Sequence, residues 1–153
     1  MSKNATISIQ KENGKIYTIY NHWDSIPSEL GVMLKEHYNS AELAMELISM
    51  GDASYVGPKI HPQNPETHDF SSPEPDVCLF YKRDRGEDDC EMKEFDDIDD
   101  VIWSYILPFN YLFKVEDNRW YCIIEEPILN HSLYDLDEAI KEYNKRTRKF
   151  GAN

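Results

Sequence analysis

Ala5-Thr6-Ile7-Ser8-Ile9-Gln10, then Lys11-Glu12-Asn13-Gly14, then Lys15-Ile16-Tyr17-Thr18-Ile19-Tyr20: this stretch decides the fold class. Both flanking runs alternate apolar and polar residues, the pattern of a strand with one face on a core. Asn13-Gly14 lies between them, and both residues tolerate the positive φ that a tight turn needs. The reading is a β-hairpin over 5–20. The same grammar recurs where Tyr111-Leu112-Phe113-Lys114-Val115 and Trp120-Tyr121-Cys122-Ile123-Ile124 flank Glu116-Asp117-Asn118-Arg119, giving a hairpin over 111–124. Between these, Val77–Tyr81 reads as a short strand, Lys82–Asp89 as a charged turn and Cys90–Phe95 as a strand pairing back, a third hairpin over 77–95.

Helices fill the intervals. Pro27 suits a first helical turn, with Asp24 or Ser25 as cap, and the pattern continues through Val32, Met33, Leu34 and Tyr38. Asn39-Ser40 breaks and re-caps the chain. A second helix follows over Ala41–Met50, with Leu43, Leu47 and Met50 at helical spacing and Gly51 as its stop. Asp96-Asp97-Ile98-Asp99-Asp100 opens a helix running to Leu107, its carboxylates facing the positive end of the dipole, and Pro108 ends it. A last helix over 135–149 places Leu136, Ile140 and Tyr143 on one face and ends in Lys141, Lys145, Arg146, Arg148 and Lys149. The order ββααββαββα predicts a single α+β domain over 1–153: an antiparallel sheet of about six strands with helices on one face. Pro58, Pro62, Pro65, Pro73 and Pro75 mark an irregular loop over 57–76, a length that is usually functional or mobile.

The 153 residues are 41% hydrophobic and 12% aromatic, enough for one real core. The net charge of −13, from 29 acidic and 16 basic residues, repels phosphate backbones and anionic membranes. Direct nucleic-acid binding and membrane association are therefore not expected. There is no membrane-spanning apolar run and no signal core behind Met-Ser-Lys-Asn, so a cytoplasmic protein is expected. Cys78, Cys90 and Cys122 are odd in number and widely spaced, which fits reduced thiols rather than a zinc site or a disulfide framework. No nucleophile elbow, phosphate-cradling loop or dinucleotide fingerprint is present, so neither an enzyme nor a cofactor is expected.

Four clusters carry candidate chemistry. His22-Trp23-Asp24 joins the second strand to the first helix, where His22 and Asp24 would face one cleft as a binding or acid–base pair, or serve as turn and cap. Arg83-Asp84-Arg85-Gly86-Glu87 presents alternating charges to a ligand, or pairs them locally in an exposed turn. Glu87 to Asp100 holds nine carboxylates against Lys93, including Asp96, Asp97, Asp99 and Asp100: a mimic of nucleic-acid charge for a basic groove, or a solvated helix start. A calcium loop is excluded there by the missing central glycine. His61 and His68-Asp69, with His22 or Asp84, raise a metal site that the spacing does not assemble.

Taken in order, Ile19-Tyr20-Asn21-His22-Trp23-Asp24-Ser25-Ile26-Pro27 with Gly31, Leu47-Ile48-Ser49-Met50-Gly51-Asp52-Ala53-Ser54, His68-Asp69-Phe70 and Tyr81-Lys82-Arg83-Asp84-Arg85-Gly86-Glu87 resemble the signature of a family of small, mostly uncharacterised bacteriophage-borne proteins. The resemblance covers about residues 5–125. Ser25-Ile26 stand where that family has Gly-Tyr; if that glycine supplies positive φ, Ser25 must do without it. The resemblance implies an accessory protein that binds and inhibits or redirects a host defence factor, with His22, Trp23, Asp24, Arg83, Asp84, Arg85 and Glu87 in a shared role. A small-molecule or nucleotide-sequestering protein and a metal-dependent hydrolase are the alternatives. The expected partner is a host protein with a basic groove.

Overall fold

The computed structural model describes residues 3–124 and 133–149. The first hairpin forms as read, β1 (Ala5–Gln10) antiparallel to β2 (Ile16–Asn21). Its turn differs in detail: Gly14 has positive φ and Asn13 does not, and Asn13 instead accepts the Lys15 N–H through its side chain at 3.0 Å. This is the three-residue loop with a left-handed glycine rather than a two-residue turn. The second hairpin, β6 (Phe109–Lys114) and β7 (Arg119–Ile124), is also as read.

The two hairpins are joined by their inner strands, β1 to β6, and this junction is parallel, from Ala5↔Phe109 to Gln10↔Lys114. The sheet is therefore mixed, not antiparallel. It has eight strands in the order β4-β3-β2-β1-β6-β7-β8, with β5 also on β2. The additional strands are β3 (Ala53–Tyr55) and β8 (Leu133–Asp135), both too short to show a period. The expected hairpin over 77–95 does not form. β4 (Leu79–Phe80) pairs with β3, the chain then turns into the short helix α3 (Tyr81–Arg85), and β5 (Lys93–Phe95) pairs with β2. Phe80 and Tyr81 belong to an apolar run in sequence, but the Asp84 carboxylate accepts the Phe80 N–H at 2.8 Å and closes a helical turn instead.

One sheet face carries Ile7, Ile9, Ile19, Tyr111 and Phe113 and is covered by α1 (Val32–His37), α2 (Ala41–Ser49) and α5 (Leu136–Lys149). The opposite face is covered too: α4 (Ile98–Tyr105) packs Val101 with Ile16 and Leu112. Helices thus lie on both faces, not one. The alternation of β1, which suggested a wet second face, records a polar but buried one. Thr6 donates to Asn110 Oδ1 at 2.6 Å, and Ser8 and Thr18 share a hydrogen bond of 2.7 Å.

Helix starts follow local chemistry. Ser40 caps α2 by accepting the Leu43 N–H, and Asp97 caps α4 by accepting the Asp99 N–H. Before α1, Pro27–Gly31 forms a π-helical turn in which the Val32 N–H reaches the Pro27 carbonyl, and neither Asp24 nor Ser25 caps it. In α2 the buried face is Ala44, Leu47 and Ile48, while Leu43 turns outward. Among the described residues no helix is long and apolar enough to cross a membrane, and all three cysteines are buried and unpaired.

Gly51 and Gly86 both have positive φ, but a Cβ at Gly51 would lie 2.5 Å from the Cys90 carbonyl oxygen, whereas one at Gly86 meets nothing within 4 Å. Gly86→Ala is expected to cost about 1 kcal/mol and Gly51→Ala about 3 kcal/mol or more, as read by urea denaturation.

Candidate functional site

The stretches quoted above converge on one edge of the sheet. Asn21 pairs with Ala53, and Ala53 with Phe80. Past the end of β2, His22 N–H donates to the Ala53 carbonyl at 3.1 Å and Trp23 N–H to the Ser54 carbonyl at 2.8 Å. Asp52 links the neighbours on either side: its Oδ1 accepts the Tyr20 N–H at 2.9 Å and its backbone carbonyl accepts the Tyr81 N–H at 3.2 Å. The segments bearing His22/Asp24 and Arg83/Asp84 thus share a sheet edge. Among the described residues no hydrogen bond or ion pair joins the two pairs.

Arg83 and Asp84 face inward to a different partner, the proline-rich loop. Arg83 Nε and Nη2 donate to both oxygens of Asp84 at 2.8 and 3.0 Å, Nη1 to the Ile60 carbonyl at 2.7 Å and Nη2 also to the Cys78 carbonyl at 3.1 Å. The Asp84 side chain is 4% exposed and that of His68 fully buried beside it, 3.6 Å away. His68 Nδ1 accepts the Glu74 N–H at 2.9 Å, which places the ring proton on Nε2, where it donates to the Cys78 carbonyl at 3.0 Å. The group fastens the loop over 57–76 to β4 and α3. Glu74 continues the tether by accepting the Gln63 and Asn64 N–H groups, which hold its carboxyl below the usual range. The loop is irregular as expected and densely hydrogen-bonded.

His22 is engaged locally. Tyr20 Oη lies 2.6 Å from Nδ1 and Asn4 Nδ2 3.3 Å from it; an amide nitrogen only donates, so Nδ1 is the acceptor. Trp23 stacks edge-on against His22 and is half exposed. The backbone turns at Asp24, whose φ is 56°, so strand alternation ends before it and does not bring its carboxylate onto the imidazole. The positive φ falls on Asp24 and not on Ser25. Ser25 is buried, its Oγ accepting from Asn21 Nδ2 at 2.8 Å and its carbonyl accepting from Tyr111 Oη at 2.7 Å.

Arg85 and Glu87 pair with each other on the surface, and the Arg85 guanidinium lies over Phe70 at 4.7 Å and Tyr81 at 5.1 Å. The acidic run leaves this edge: Glu87 to Glu91 follow α3 in a turn whose Cys90 carbonyl accepts the Asp52 N–H at 2.8 Å, and the remaining carboxylates continue along β5 and the start of α4. Asp96 pairs with Lys15, Asp97 caps α4, and Asp99 and Asp100 are exposed in its first turn. Among the described residues no group of three or more His, Cys, Asp or Glu is placed to hold a metal; His61 pairs with Glu46 at 3.0 Å instead.

Compared with known proteins, the chain matches no family model, no curated protein and no solved structure.

Asp52 is the group the sequence did not single out. Burial raises its carboxyl above the ordinary range, opposed by the Tyr20 N–H; burial, and after it the Asp52 charge, pushes the Tyr105 hydroxyl up to about 12. The available signal was an acidic residue directly after a helix-ending glycine and before a strand, a position where burial is enforced by backbone pairing on both sides.

A raised carboxyl means that the folded state holds its proton to higher pH than the unfolded chain. That protonated form carries no penalty below the unfolded value near 3.9, and the penalty develops as pH rises through the folded value. Asp52→Asn keeps the Oδ1 acceptor without the charge. Its melting temperature is expected to match the parent below about pH 4 and to exceed it above the folded carboxyl's titration. In the loop tether, Asp84→Ala leaves a largely buried guanidinium without its counter-charge and is expected to lose about 3 kcal/mol by chemical denaturation; Arg85→Ala, on the surface, is expected to lose less than about 1 kcal/mol.

Proposed function

We propose that this chain is a binding protein that occupies a basic groove on a partner, with the acidic belt from Asp88 to Asp100 as its recognition surface. The observation that supports this reading is exposure: of the nine carboxylate residues from Glu87 to Asp100, all but Glu87 are exposed, and Lys93 is the one cation within the run. Lys15 is drawn to one end of the belt, where it pairs with Glu94 and Asp96. Asp88, Asp89, Asp99 and Asp100 point a further set of charges at solvent. By contrast Arg83 and Asp84 have their polar atoms engaged by the protein itself, as has Nδ1 of His22. Glu94 lies on a paired strand, and Asp97, Asp99 and Asp100 on the capped first turn of α4, so this part of the belt is presented without a large ordering cost on binding. The resemblance to bacteriophage-borne proteins supplies the setting: the partner is a host protein, and occupying its groove inhibits or redirects it.

Retention of host proteins on the immobilised chain, followed by titration with the retained protein, tests this. Asn in place of Asp96, Asp97, Asp99 and Asp100 preserves the cap on α4, because Asn caps as well as Asp. Binding by this variant is expected to weaken about tenfold, mainly through association rate, and parent binding to fall steeply between low and physiological salt. Unchanged affinity in the four-Asn variant, with Arg83→Ala or Trp23→Ala abolishing binding in a folded protein, sinks the proposal.

A further inference from the structure

The sheet face opposite α4 carries an open groove whose lining includes no residue of the acidic belt. It runs between α2 and the tip of the first hairpin and has a volume of about 700 Å³. Ile9, Ala41, Met45 and Val115 form its floor; Glu12, Glu42 and Glu46 stand on its rim, with Lys11 as the one cation. Ala41, Met45 and Ser49 recur every four residues along α2, so the groove follows the full length of that helix. Lys11 is held over the Tyr17 ring at 5.7 Å.

We propose that this groove is a docking site for an amphipathic helix of a partner protein, one whose apolar stripe is bordered by lysine or arginine. Charge complementarity selects the basic border, since the rim holds Glu12, Glu42 and Glu46, the last also contacting His61, against the one ammonium of Lys11. Strand addition is excluded by pairing: β1 is bonded along its whole length to β2 and β6, and the neighbouring part of β2, Ile16–Thr18, is bonded to β5. Among the described residues no free backbone edge borders the groove, which removes strand addition, and a groove running the length of α2 suits an amphipathic helix laid in by its apolar side chains. Met45 at the floor adapts to the side chains that enter, as unbranched thioethers do. Asp96, Asp97, Asp99 and Asp100 do not line the groove, and α4 covers the opposite sheet face; of the belt, Glu94 stands on the groove's face, across from Tyr17.

The test uses the full chain and a fluorescein-labelled leucine–lysine helix of about four turns with a leucine stripe. Two controls are a scrambled peptide of the same composition and a version with glutamate for lysine. Backbone amide shifts on titration are expected at Ile9–Asn13, Ala41–Ser49 and Val115. Replacing Glu12, Glu42 and Glu46 together by Gln is expected to weaken binding about tenfold, and Met45→Glu to abolish it. Should Met45→Glu melt early, the Gln variant alone decides. The four-Asn belt variant should bind the peptide within about twofold of the parent. Equal binding of the scrambled peptide, or shifts confined to Asp88–Asp100, overturns the proposal, as does full affinity in the Gln variant.

Discussion

The parallel pairing of β1 with β6 is the constraint on which the rest of the architecture depends. It joins two self-contained hairpins into one sheet and makes both strands central, so each is buried on both faces. A strand buried twice must satisfy whatever polar side chains it carries. Thr6 and Asn110, 104 residues apart in sequence, do so with each other, and Ser8 does so with Thr18 across the hairpin. Polar pairs in a dry layer fix register, because a slip by one residue would leave each hydroxyl or amide without a partner. The helices then follow: α1, α2 and α5 close the apolar face and α4 closes the polar one.

Local elements were legible where local chemistry decides them. Both true hairpins, the Ser40 cap and the glycine ending α2 could be read because turn and cap residues act within four positions of themselves. The third hairpin was misread because Asp84 turns Phe80 onward into a helix through one side-chain hydrogen bond, which an apolar run does not announce. The wet second face was misread because the polar period of β1 looks the same whether Thr6 meets water or Asn110. β3 and β8 are held by their neighbours rather than by their own pattern.

The candidate site divides along the same line. The motif residues come to one edge of the sheet, through the pairing of β2 with β3 and β3 with β4. What no sequence could show is which way each polar group turns. Arg83 and Asp84 face the loop over 57–76, whereas Arg85, one residue on, lies across Phe70 and Tyr81 at the surface. Adjacent charges in one short helix therefore have opposite duties, one holding the fold and one facing solvent. The acidic belt kept the exposure its composition implied apart from Glu87, although Asp96 pairs with Lys15 and Asp97 caps α4.

The span between Thr6 and Asn110 also sets an order of events. The first hairpin has its turn and its cross-strand bonds between Ala5 and Asn21, and short loops close in well under a microsecond. Its inner partner β6 comes only after two thirds of the chain. Until then β1 presents one bare edge with Ile7 and Ile9 beside it, the kind of template on which unfinished chains stick to one another. Thr6 and Ser8 make that edge half polar, and so the residues that later lock the register also keep the waiting strand soluble.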